Sequence, residues 1–309
     1  MIDQTQRTKL LEFLSVSPQV YLLLPITSDP DLVLSCLATA LFLTDLSRLD
    51  LANWQLKEAL LFSPQSPTLF DRWPQLVQFL QEERLLDQVK QQLGRDNLII
   101  SFPYRAEQVD KVSYHIGQDQ QQFYLTIKPQ AGQAPLSEKQ VKFNYAGASA
   151  DLLWLFGVGE LADLKQLYVG YEDLYQQQTL ISLNTYLPDF GSLNLDISGS
   201  AAYAEAVFYL IRGLLGLLEL DWSVLEHTRQ IASLLLSAIR LKSKEFSSSE
   251  MQANSFLAVA ELLKLGAQRL DLTEEKNVAE SKSQSNQAFS KKLASSKKFA
   301  KKTKVSIKA

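Results

Sequence analysis

Short runs of consecutive apolar residues alternate along this chain with stretches whose apolar positions recur every three or four residues. Residues 20–26 are a continuous apolar run, the pattern of a strand covered on both faces. Residues 31–48 predict a helix, with Leu34, Leu37, Leu41 and Leu43 at near-helical spacing. Residues 59–62 predict a short strand ended by Ser63-Pro64. Residues 76–93 have an amphipathic helical pattern, and 97–102 are a further apolar run. Together these give βαβαβ, which implies parallel strands joined by right-handed crossovers.

The period then changes. Val112, Tyr114 and Ile116 alternate with Ser113 and His115, and Phe123, Leu125 and Ile127 alternate with Tyr124 and Thr126. A period of two on either side of residues 117–122 predicts a β-hairpin, inserted at about 109–129. Residues 129–136 predict a loop. The α/β pattern resumes with strands at 151–156 and 179–183 around a helix at 161–174. Helices at 201–218, 222–240 and 252–265 close the body, with Asp221 as N-cap of the second and Gly266 as C-cap of the third. The predicted fold class is α/β, a mainly parallel Rossmann-like sheet flanked by helices. It carries the hairpin insertion in a domain spanning 1–272, followed by a disordered basic tail at 273–309.

Composition agrees with a globular body, at 46% hydrophobic and 21% charged residues. The single Cys36 excludes an intramolecular disulfide framework. With only His115 and His227, a His-rich metal centre cannot be built. The net charge of −3 conceals a division: residues 273–309 hold ten lysines against three glutamates, which leaves the body with 21 basic and 31 acidic side chains, a net −10. The apolar stretches at 20–26 and 32–43 are each shorter than the ~20 residues of a membrane span, and Asp29 and Asp31 separate them. No targeting segment is evident, so the expected location is the cytoplasm, without a membrane partner.

In a parallel α/β sheet ligands bind beyond the C-terminal ends of the strands. After the first strand come Thr27-Ser28-Asp29-Pro30-Asp31, then Ser35. Two carboxylates at a strand-to-helix turn suit a divalent cation. They equally suit an N-cap (Asp29), a proline at the first helical position and an acidic first turn (Asp31). Gly157-Val158-Gly159-Glu160 lacks the further glycine of a dinucleotide fingerprint and predicts a tight loop. The segment after 179–183 offers no histidine, no cysteine and one carboxylate, with Phe190 expected to pack. Ser35 and Cys36 are nucleophiles only beside a base. His115 and His227 are expected to be structural.

The run from Leu22 through Asp29, Asp31 and Ser35 to Ala38 resembles the first motif of the DHH family of phosphoesterases, which includes nanoRNase/phosphoadenosine-phosphate phosphatases and RecJ-type exonucleases. Phe190-Gly191-Ser192-Leu193-Asn194-Leu195 is similar to the family's Phe-Gly-x-x-Asn-Leu, and Ser200 to Glu205 to its small-residue helix start. Residues 234–246 and 260–267 resemble its last motif and following helix. The likeness covers roughly residues 15–270.

What the resemblance implies for the site is uneven. Asp29 and Asp31 match the paired aspartates. The expected histidine falls on Pro25, and the next aspartate on Gly157. The Asp-His-His signature falls on Ser182-Leu183-Asn184. The last aspartate falls on Lys242, with Ser243 in place of threonine. Family chemistry implies two Mn²⁺ ions about 3.5–4 Å apart, activating water and steadying the leaving oxygen. A lysine ammonium about 4 Å from a divalent ion costs roughly 8 kcal/mol at an effective ε of about 20. The expectation is therefore a degenerate member with no catalytic residues, no cofactor and a binding or scaffold role. Lys242 would pair with Asp29 or Asp31 in place of the metals. The family's smaller C-terminal substrate domain, with its Gly-Gly-His segment, is expected to have no counterpart here. The alternative is an active Mn²⁺-dependent phosphoesterase on short oligonucleotides or a phosphorylated nucleotide.

The tail supplies a third reading. Lys291, Lys292, Lys297, Lys298, Lys301, Lys302 and Lys304 cluster with Phe289, Leu293 and Phe299 interspersed. They suit RNA or DNA phosphates and unpaired bases, or the acidic body of another copy. A protein partner or a homodimer is the other class of partner.

Overall fold

The computed structural model describes residues 2–64, 67–94, 97–103, 108–117, 122–146 and 148–274. In chain order the elements are α1 (Gln4–Val16), β1 (Gln19–Leu23), α2 (Pro30–Arg48), β2 (Glu58–Phe62), α3 (Pro74–Glu82), β3 (Val89–Lys90), β4 (Asn97–Ser101), β5 (Val109–Ile116) and β6 (Phe123–Pro129). They continue with β7 (Lys142–Ala146), β8 (Leu152–Phe156), α4 (Glu172–Gln177), β9 (Thr179–Asn184), β10 (Leu193–Asp196), α5 (Tyr203–Leu217), α6 (Thr228–Lys242) and α7 (Ala253–Lys264).

Six strands form one sheet in the order β10-β9-β8-β1-β2-β3, every pair parallel. The continuous apolar runs follow from burial on both faces. Val20 and Leu22 of β1, with Leu152, Trp154 and Phe156 of β8, enter the larger core beneath α1, α2, α3, α5, α6 and α7. Tyr21 and Leu23, with Leu153 and Leu155, enter a smaller core beneath α4 and the 3₁₀ turns of Leu161–Leu167. The chain leaves β1 toward β2 and returns with β8 on β1's other side, so the β1–β8 boundary is the topological switch point.

Helix α2 lies in the larger core. It is the one helix among the described residues with the length and apolar composition to cross a membrane, and 83% of its most apolar window is buried inside the protein. At 19 residues it matches the helix predicted at 31–48 to within one residue, and so reaches a length that the apolar stretch at 32–43 alone does not. Its composition is accounted for by burial between the sheet and α5 and α6.

Four expectations fail, each for a local reason. The amphipathic stretch 76–93 is not one helix. Arg84 takes a positive φ of 55°, which ends α3 and lets Val89–Lys90 pair beside β2. That short strand fills the position expected of 97–102, and β4 instead pairs antiparallel with β7 in a separate ribbon. The expected helix at 161–174 is a 3₁₀ segment kinked at Lys165, followed by the short α4. The helix expected at 222–240 begins at Thr228; Asp221 caps a 3₁₀ turn, accepting from the Ser223 amide. The hairpin forms as β5–β6, and Gly266 takes φ 85° just after α7. Helix α1 and strands β7 and β10 were not foreseen.

Candidate functional site

The C-terminal ends of β1, β8 and β9 open beside the first turn of α2, the start of α5 and the last residue of α6. Asp29 is the N-cap of α2, with Pro30 behind it and Asp31 in the first turn. Its Oδ1 accepts from the Leu32 amide at 2.9 Å, and its Oδ2 lies 2.8 Å from Nζ of Lys242. Burial of Lys242 disfavours its charge, but the hydrogen bond and charge of Asp29, with Asp31 and Glu250 beyond, outweigh it and raise the ammonium pKa.

Asp31 is fully buried and caps a helix other than its own. Helix α5 begins after Ala202, whose side chain cannot cap. Asp31 Oδ2 accepts from the Tyr203 amide at 2.8 Å and Oδ1 from the Ala204 amide at 3.0 Å. The Ser35 hydroxyl adds a 3.3 Å contact to Oδ1. Orphan amide donors of the α5 N-terminus thus find their acceptor on α2. Burial, then the charge of Asp29, raises the Asp31 pKa to about 7, against the lowering effect of the two amides and of Lys242.

The next element is a filled space. Gly157 follows β8 with φ 64°; a Cβ built there would stand 2.7 Å from Leu32 Cδ2 and 3.3 Å from the Tyr203 hydroxyl. That hydroxyl donates to Asn184 Oδ1 at 3.2 Å, and Asn184 Nδ2 donates to the Val158 carbonyl at 2.8 Å. Burial pushes the Tyr203 phenol up to about 12, and the charges of Asp31 and Asp29 add to it.

The structure therefore brings Asp29, Asp31, Gly157, Asn184 and Lys242 to one strand-end cleft. Of the other three positions, Leu183 joins the group only through its main chain, its carbonyl accepting from the Gly157 amide at 2.9 Å. The Pro25 carbonyl accepts from the Ser28 hydroxyl. Ser182 donates to Asn194 Oδ1 at 2.8 Å. Leu183 is in the core. Leu32 and Tyr203 were missed, and no spacing signal could have found them, because they come to Gly157 from α2 and α5, far apart along the chain. Cys36 is buried, which pushes its thiol pKa well up. The tail lysines 291, 292, 297, 298, 301, 302 and 304 lie outside the described residues.

As donors for a metal pair, these residues supply two carboxylates. One is held by a cation, and both oxygens of the other are taken by main-chain N–H groups. The remaining positions supply an amide, an ammonium and a glycine without a side-chain donor, bordered by Leu32 and Tyr203. This donor chemistry does not match the several anionic ligands that two divalent ions require.

A second cluster was also unforeseen. Asp45, Glu226 and His227 offer ligand atoms within 4.8 Å of one another. Here the groups satisfy each other. Buried Asp45 accepts from the His227 amide at 2.9 Å and lies 2.6 Å from its Nδ1. Glu226 pairs with Arg48. The arrangement ties α2 to the start of α6. His115 stacks on Tyr124, with centroids 4.6 Å apart.

No protein-family model matches this chain, and no curated protein matches it. Among solved structures, an exopolyphosphatase-related protein from Bacteroides fragilis is similar in fold, with a TM-score of 0.50 and 13% sequence identity. The match covers 87% of this chain and 58% of the other, so this chain spans little more than half of that protein's length. What the two share is the α/β fold, a parallel sheet flanked by helices, at a distance where identity of residues carries no further likeness.

Proposed function

We propose that this chain is a catalytically silent relative of the DHH phosphoesterases, working as a binding or scaffold protein. The observation that carries the reading is the occupied space at Gly157. The resemblance puts a carboxylate there, and a Cβ at that position would stand 2.7 Å from Leu32 Cδ2 and 3.3 Å from the Tyr203 hydroxyl, so a side chain would enter only by shifting them. The Lys242–Asp29 pair supports it, because an ammonium 2.8 Å from a carboxylate oxygen neutralises the charge that would draw a divalent cation. Asp31 supports it from the other side as the acceptor at the α5 N-terminus. The site is a hydrogen-bonded joint between α2, α5 and α6, and its polar groups serve the fold.

Calorimetric titration with manganese chloride, paired with hydrolysis of an artificial phosphodiester and of a short oligonucleotide, tests this. The expected result is no stoichiometric binding and no manganese-dependent turnover. Two manganese ions per chain, with hydrolysis abolished by Asp29→Ala, would establish the active phosphoesterase instead.

A further inference from the structure

The β5–β6 hairpin is a ribbon with one apolar face that the rest of the described chain leaves uncovered. Directly opposed residues share a face, so the register puts Val112 with Ile127, Tyr114 with Leu125, and Ile116 with Phe123 on one side. Five of these six, all but Ile127, are between 44% and 70% exposed. Tyr114 and Phe123 stack with centroids 5.4 Å apart, which sets the face before anything docks on it. The opposite face carries Lys111, Ser113, His115, Tyr124, Thr126 and Lys128. An ion pair from Lys128 to Asp110, at 2.7 Å, braces it.

Such a ribbon is poorly stable by itself in water, because a two-stranded hairpin cannot bury its own apolar side. We propose that this face is a homodimer interface, at which two copies stack hairpin on hairpin about a twofold axis. Charge permits this occupant. The six residues of the face carry no ionised group, so two copies can meet there without burying an unpaired charge. Area permits it. Five side chains about 60% exposed amount to roughly 500–600 Å² per copy. A pair then buries about 1,100 Å², close to the lower edge of specific interfaces. Leu98, Ile100 and Phe143, exposed on the β4–β7 ribbon, add apolar surface nearby in sequence. Symmetry completes the argument. An isologous contact presents one patch to itself, so an uncharged alternating face is complementary without a second design.

Sedimentation velocity on the full chain at micromolar concentration should show a dimer. Tyr114→Lys with Leu125→Lys should weaken association by roughly a hundredfold, with far-UV circular dichroism unchanged because both side chains are exposed. Ser113→Lys, on the opposite face, should leave the dimer intact. Cys36 is buried, so Leu125→Cys introduces an accessible thiol that should cross-link the copies on oxidation, whereas Thr126→Cys should not. A full chain that stays monomeric would overturn the proposal, as would a dimer that survives the double substitution. Flotation of a monomer with anionic phospholipid vesicles would assign the face to a membrane surface and overturn it equally.

Discussion

Gly157 and Leu32 show how a single position decides what a cleft can hold. The φ of 64° at Gly157 costs a non-glycine residue about 1–2 kcal/mol, and the overlap with Leu32 Cδ2 adds roughly 1–3 kcal/mol. Gly157→Ala should therefore destabilise by about 2–4 kcal/mol in urea unfolding. Adding Leu32→Ala should recover the overlap part, giving a coupling that a double-mutant cycle reads directly. Strict additivity would mean that Leu32 is not what fills the space. Asp31 gives a pH signature at the same scale. Its folded pKa of about 7 lies above the ordinary 3.8, so the native state holds the proton more tightly than the unfolded chain. Unfolding free energy should fall as pH rises from about 4 to about 7, by roughly 4 kcal/mol at most, and then level off. Asp31→Asn should remove that slope. The acidic body also relaxes on acidification, so the comparison is between the two proteins at the same pH values. Equal slopes would show that Asp31 titrates normally.

At the level of elements, the pattern of apolar residues was informative wherever packing on both faces or on one face imposed it. The strands β1, β2, β8 and β9 and the helices α2, α5 and α7 lie within a few residues of where their periodicity placed them. It was uninformative where a non-glycine residue took part in the turn. Arg84 and Lys165 enter the positive-φ region that such side chains seldom adopt, and each cuts a stretch whose spacing reads as helix. The β5–β6 hairpin is separate from the central sheet. Its strands pair only with each other, and the Gln130 amide bonds the Gln108 carbonyl at 3.1 Å, closing its neck. Excision of 109–129 with a two-residue turn across that neck should change the stability of the body by less than about 1 kcal/mol, measured by thermal unfolding. A large loss would show that the hairpin is part of the core.

At the level of the whole molecule, charge is divided between a body of −10 and a tail of +7. A polyanion that binds this protein is expected to bind through the lysines of 273–309. Single-stranded RNA should associate weakly, with a log–log salt slope of about −0.7 per phosphate neutralised, and deletion of 273–309 should abolish the association. Binding retained after deletion, or insensitive to salt, would remove the tail from the account. The sequence by itself determined the α/β class, the parallel strands, the hairpin and the asymmetry of charge, because burial and periodicity act on neighbours along the chain. It also put Asp29 and Asp31 at a strand-to-helix turn, since Asp-Pro-Asp caps a helix by local geometry. Only the tertiary structure decided what those carboxylates touch. Lys242 is 213 residues from Asp29, and the Tyr203 and Ala204 amides are 172 and 173 residues from Asp31. The Leu32 side chain meets Gly157 across the β1–β8 boundary. Contacts over such separations leave no mark in local spacing, because the chain's folding, not its order, sets which groups share a few ångströms of buried space.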